Sequence, residues 1–244
     1  RQIHKGIATM MQKNFPSVED FRAYLVTQLG QVEVIRQSLY DTMLYPLAGI
    51  AALSFFQTPI GQGLSASPGN AGLAKALTDT NMQLAGQLPS PQGFWVESIE
   101  LVVEPGSSAA ANTFAIQPPS QFAAANAVTV QAGEHDVQRI YNTGALTLTI
   151  GTKPYLQEAP LVRFPPKARH ELDATVASTS ATVGVSLKSK ARAGGRPYYI
   201  NPGCAIQTSQ NFGVTLTWPV IVALPTNNAA IRCILDGWLF RAVQ

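Results

Sequence analysis

An all-β sandwich with one amphipathic helix at its N-terminal end is the fold class this sequence predicts. Three observations carry it. Short runs alternate apolar and polar residues: Leu146, Leu148 and Ile150 share one face, and Phe212, Val214, Leu216 and Trp218 share another. Period two over such lengths is the signature of a strand with one buried face. Pro and Gly punctuate the chain between these runs. No helical pattern separates them from about Gly93 onward, which argues against parallel β-α-β units.

The elements follow in chain order. Residues 1–16 carry Arg1, His4, Lys5 and Lys13 with little periodicity and read as a basic N-terminal arm. Ser17 then offers an N-cap, with Glu19 in the first turn and Asp20 three residues on, where carboxylates suit the helix dipole. Val18, Phe21, Leu25, Leu29, Val32, Ile35, Leu39 and Met43 recur at helical spacing. One amphipathic helix is therefore expected over 17–46, ending before Pro46, with Gly30 a weak point inside it. A helix of about 27 residues spans about 40 Å and needs a surface to lie on. That surface is its own sandwich, a neighbouring subunit or lipid. Phe21, Leu25 and Leu29 form the stripe expected to pack on protein, and Glu33 and Asp41 speak against a purely lipid-bound face.

Residues 47–244 are expected to form the β domain. After a loop-rich transition, strands are predicted at 94–103, 113–116, 127–131, 137–141, 146–151, 181–187, 198–200, 205–208, 212–218 and 231–243, with 51–57 as a first strand. The last run changes phase at Asp236-Gly237, which signals a hairpin or a bulge. About 200 residues accommodate one eight-stranded jelly roll with long loops; a compact double roll is the tighter alternative.

Composition narrows the function. Charged residues make up 13% of 244, about half the usual share, so much of the surface is covered by neutral side chains or by other copies of the chain. A net charge of +3 is too mild to indicate nucleic-acid binding by itself. The apolar run 43–56 contains Pro46 and Gly49 and is too short to span a membrane. No signal peptide is expected from the first residues. Cys204 and Cys233 lie in apolar strand-like runs and read as small buried hydrophobes, with their pairing left open.

No constellation for catalysis emerges. His4, His135 and His170 are far apart in sequence, and Glu134-His135 lacks the second nearby histidine that a cupin metal site needs. Phosphate loops, dinucleotide fingerprints and nucleophile elbows are absent from the sequence. The expectation is a protein that is not an enzyme and holds no cofactor or metal. Two basic stretches remain. Arg163, Lys167 and Arg169 surround Pro165-Pro166; Lys188, Lys190, Arg192 and Arg196 surround Gly194-Gly195. Both read as loops, either simply solvated or in contact with phosphate or an acidic neighbour.

Several strings carry a family resemblance. One is Phe55-Phe56-Gln57-Thr58-Pro59-Ile60-Gly61-Gln62-Gly63. A second is Asp79-Thr80-Asn81-Met82-Gln83-Leu84-Ala85-Gly86-Gln87-Leu88-Pro89, continuing from Phe94 to Leu101. Residues 212–219 and Leu235-Asp236-Gly237-Trp238-Leu239-Phe240-Arg241 complete the pattern. Over Ser17 to Gln244 the chain resembles major capsid proteins of tailless icosahedral bacteriophages. The resemblance implies a jelly-roll shell subunit that self-assembles as homotrimers or pseudo-hexameric capsomers. It also implies other capsid proteins as partners, such as a vertex protein, and a place in the virion after assembly in the host cytoplasm. Some relatives enclose an internal lipid membrane, and the family has no active site. Double-roll relatives are longer, so a single roll is expected here. On this reading Arg1, Lys5 and Lys13 face genome or lipid head groups. The alternative is a receptor- or glycan-binding spike or fibre head that displays loops 61–71 and 105–111.

Overall fold

The computed structural model describes residues 17–66, 72–104, 137–179, 182–224 and 228–243, with backbone alone for 169–192. The arm residues Arg1, Lys5 and Lys13, and the strands expected at 113–116 and 127–131, lie outside these residues.

Among them, helix α1 (Val18–Leu29) is followed by ten strands. These are β1 (Val32–Tyr45), β2 (Ala52–Phe55), β3 (Gln92–Glu104), β4 (Ala145–Ile150), β5 (Lys153–Glu158), β6 (Ala168–Thr179), β7 (Thr182–Ala193), β8 (Tyr198–Ile206), β9 (Phe212–Thr217) and β10 (Ala229–Ala242). A short helix, α2, covers 137–143. One sheet runs β1-β10-β3-β8 and the second runs β2-β9-β4-β5, while β6 and β7 pair only with each other. Strand pairing is antiparallel throughout both sheets and the ribbon. The chain is therefore an all-β sandwich with few helices.

The main core lies between the two sheets. Leu146, Leu148 and Ile150 of β4 and Val214 and Leu216 of β9 meet Ile99, Leu101, Ile231, Cys233 and Leu235 from the facing sheet. The alternation in β4 and β9 exists because these strands bury one face only. Trp218 follows β9 directly and lies inside this core, where its Nε1 donates to the Ile140 carbonyl at 3.1 Å.

The helix expected over 17–46 stops at Leu29. Ser17 caps its start, accepting from the Asp20 amide at 3.1 Å. Gly30 ends it at φ +81°, a conformation that favours glycine, with its amide on the Val26 carbonyl at 3.0 Å. The chain then turns into β1, which pairs with β10 without interruption from Val32↔Ala242 to Tyr45↔Ala229. The physical reason is that β1 buries opposite faces at its two ends. Val32 and Val34 pack outward against α1, whereas Leu39, Met43 and Tyr45 face the main core. A strand that changes its buried face midway imitates helical spacing.

Other expectations shift too. Residues 137–141 are helical rather than extended, because a five-residue run does not distinguish the two periods. The runs expected at 198–200 and 205–208 merge into one strand, β8, which ends at Ile206 and whose register against β3 breaks between Val96 and Ser98. Asp236-Gly237 is not a hairpin: β10 continues through it, and the bulge opposite it lies in β3, where Glu97 is the extra residue. A Cβ on Gly237 would lie 1.8 Å from the Trp95 carbonyl oxygen, so the close strand approach admits only glycine.

Candidate functional site: the outer face of the first sheet and the loop pinned beside it

Helix α1 lies on the outer face of the β1-β10-β3-β8 sheet. Phe21 and Leu25 are buried there in a second cluster with Val32, Trp95, Ala205 and Phe240, and Leu29 packs at its margin. Phe21 meets Trp95 at 5.6 Å and stands edge-on to Phe240 at 5.8 Å. The stripe predicted to seek a protein surface finds that of its own sandwich.

Beside the helix the same face carries a network of charges. The β3 register skips Glu97, so the bulge re-aims its carboxylate. Glu97 accepts from Arg36 and from the Trp238 indole. The Arg36 guanidinium also bonds Asp236 at 2.7 Å and sits over the Trp238 ring at 4.7 Å. Lys167 approaches the cluster from the chain segment before β6. Its amide donates to Glu100 at 2.6 Å, and its ammonium contacts Asp236 and lies 3.9 Å from Glu100. Burial pushes the Lys167 pKa down; the Glu100 carboxylate opposes that shift and Arg36 reinforces it. Ser98 lies buried in the same strand with its hydroxyl unpartnered among the described residues.

The basic residues singled out from sequence fare differently. Lys167 is held in the network above. Arg163, in a 3-10 turn at Leu161–Arg163, pairs with Glu158 at 2.6 Å and stacks on Tyr198. Tyr198 donates to the same Glu158 at 2.9 Å, and burial followed by that bond raises its pKa. Arg169 lies in β6 and Lys188, Lys190 and Arg192 in β7, so these four are strand residues, not loop residues. The register sets Arg169 opposite Arg192, Glu171 opposite Lys190 and Asp173 opposite Lys188. Opposite charges in register stabilise a ribbon, which is why a strand here reads as a charged loop in sequence. Arg196 is exposed in the link to β8. Two of the cations proposed for phosphate contact are thus neutralised within the chain.

A second feature escaped the sequence reading. The β2–β3 connection is fixed by a buried ion pair, Lys75 Nζ to Asp41 Oδ1 at 2.6 Å, with the two side chains 1% and 0% exposed. Nearby, Asp79 accepts from the Ser65 hydroxyl at 2.6 Å and the Ala76 amide at 2.9 Å. The connection so fixed nevertheless presents Leu64, Leu73 and Leu77 to solvent at 70%, 59% and 63% exposure. Only the lone Lys75 in a Gly- and Ala-rich stretch hints at this arrangement in the sequence.

Cys204 and Cys233 are free and buried, on strands that flank β3 from opposite sides. Among the described residues no group of three or more His, Cys, Asp or Glu side chains converges as a metal site. No helix among them is long and apolar enough to cross a membrane. Comparison with protein-family models, curated proteins and solved structures returns no match.

Proposed function

We propose that this chain is the structural subunit of an icosahedral bacteriophage capsid, built on a single jelly roll and self-assembling through that domain. Strand order carries the reading. With the β6–β7 ribbon set aside, the remaining pairs nest: β1 with β10, β2 with β9, β3 with β8, and β4 with β5. A long antiparallel hairpin of four strand pairs, rolled so that alternate pairs fall in opposite sheets, is the jelly-roll path of two interlocked Greek keys.

Jelly rolls also serve lectins and cupins, so the order alone does not select a shell. Two further observations favour one. The chain is poor in charge, and Leu64, Leu73 and Leu77 are exposed on a connection pinned from within. Exposed apolar side chains on a charge-poor chain fit contacts between copies of the protein. In this reading copies associate as trimers or pseudo-hexameric capsomers, with a vertex protein as a further partner. Arg1, Lys5 and Lys13 face the genome or an internal lipid layer. The virion is the protein's location.

Electron microscopy with light scattering on the purified full chain tests this. Trimers, capsomers or closed shells are the expected species. A monomer that stays dispersed at high concentration overturns the proposal. Discrete oligomers that bind glycans and never close into shells transfer the weight to a receptor-binding head.

A further inference from the structure

We propose that Lys75 and Asp41 are the two halves of an intramolecular isopeptide bond, a covalent modification that staples the β2–β3 connection to β1. The geometry comes first. Lys75 Nζ lies 2.6 Å from Asp41 Oδ1, and both side chains are removed from solvent. Carboxylate dimensions then place Nζ within about 3.5 Å of the Asp41 carbonyl carbon, the range from which attack begins. The other oxygen, Oδ2, accepts the Phe56 amide at 2.6 Å. A backbone N–H in that position stabilises the negative charge that develops on the oxygen during amide formation.

Burial favours the uncharged carboxylic acid of Asp41, one of the two partners that the reaction needs. An ammonium carries three protons to donate. Among the described residues, Lys75 Nζ has Asp41 Oδ1 and the Met43 sulfur at 3.1 Å as its acceptors. A thioether is a weak acceptor, so the charged amine is poorly solvated here. Asp41 stands opposite the fully buried Cys233 in the β1–β10 ladder. Burial raises the Asp41 pKa, with Lys75, the Phe56 amide and Thr80 opposing. Passing the shared proton from Nζ to Oδ1 converts the ion pair to a free amine and a carboxylic acid in direct contact.

The step balances without a co-reactant. The Nζ lone pair forms the bond to the Asp41 carbonyl carbon, and the carbon–Oδ1 bond breaks. Oδ1 leaves with its own proton and one from the nitrogen as a molecule of water. The product is a secondary amide whose oxygen is Oδ2, still held by Phe56. No oxidant or metal takes part. The consequence is mechanical: a connection that displays three exposed leucines becomes part of the sheet by a covalent bond.

Intact-mass spectrometry of the full chain, purified and then denatured, tests the proposal directly. The expected chain is lighter than its sequence mass by one water, and proteolysis yields a branched peptide joining 41 to 75. Lys75→Arg, which keeps the cation but not the primary amine, is expected at full sequence mass. A wild-type chain of full sequence mass, without a branched peptide, overturns the proposal and leaves an ordinary buried ion pair. That readout needs no variant to fold and is independent of the capsid reading.

Discussion

Cys204 and Cys233 illustrate how burial governs single residues here. Burial pushes the Cys204 thiol from an ordinary 9.0 to about 12, and Cys233 well above its ordinary value. The thiolate is the reactive form, so both thiols are expected to resist alkylation of the native protein at pH 8 and to react fully in denaturant. Fast labelling of the folded chain counts against this burial. The same shift has a stability consequence. A folded pKa above the unfolded one means that the unfolded state loses its proton first as pH rises. The contribution is intact below about pH 9 and is lost towards pH 12. Urea unfolding at pH 8 and pH 10 reads this as a falling stability, and Cys204→Ala reduces the fall.

At the scale of elements, α1 depends on the sheet it covers. Twelve residues are too few for a stable isolated helix. Its cap and Gly30 stop set its ends, but Phe21 and Leu25 against Trp95 and Phe240 hold it in place. Phe21→Ala is expected to cost about 3–5 kcal/mol in chemical denaturation, the range for removing a buried aromatic ring. It also exposes Trp95, which shifts its fluorescence to the red. A variant with unchanged stability and emission shows that the helix is not held through this ring. Element by element, legibility followed burial. Strands β4, β9 and β10 were visible because each shows one apolar face to the core. β5 was not, because it is an edge strand with mostly exposed residues. β6 was hidden and β7 was legible only over its first half, expected at 181–187, because charged residues stand opposite one another in the ribbon register and give the remainder a loop-like composition.

For the whole molecule, the ribbon is the element that the sandwich does not require. Among the described residues its strands pair with neither sheet. Replacing 168–193 with a short glycine-containing turn is therefore expected to leave a folded, cooperative sandwich by circular dichroism and thermal melting. In the capsid reading, the same deletion weakens association in light scattering, because a two-stranded ribbon standing alone gains its stability from a partner surface. Loss of the fold itself would mean that the ribbon belongs to the core.

By itself the sequence determined the class of the protein. Alternation, turn residues and sparse charge are local, so an all-β sandwich with an N-terminal helix was legible from them. It also placed the cap at Ser17 and the stripe of Phe21, Leu25 and Leu29; at Asp236-Gly237 it signalled an irregularity that lies in the facing strand, at Glu97. Tertiary structure decided the rest, because the decisive partners are distant in the chain. Arg36 meets Glu97 and Asp236 at separations of 61 and 200 residues, and Lys75 meets Asp41 across 34. Whether a cation waits for phosphate or is already neutralised depends on which strands lie side by side. The division of β1 between two cores likewise exists only once α1 has folded back onto the outer face of its sheet.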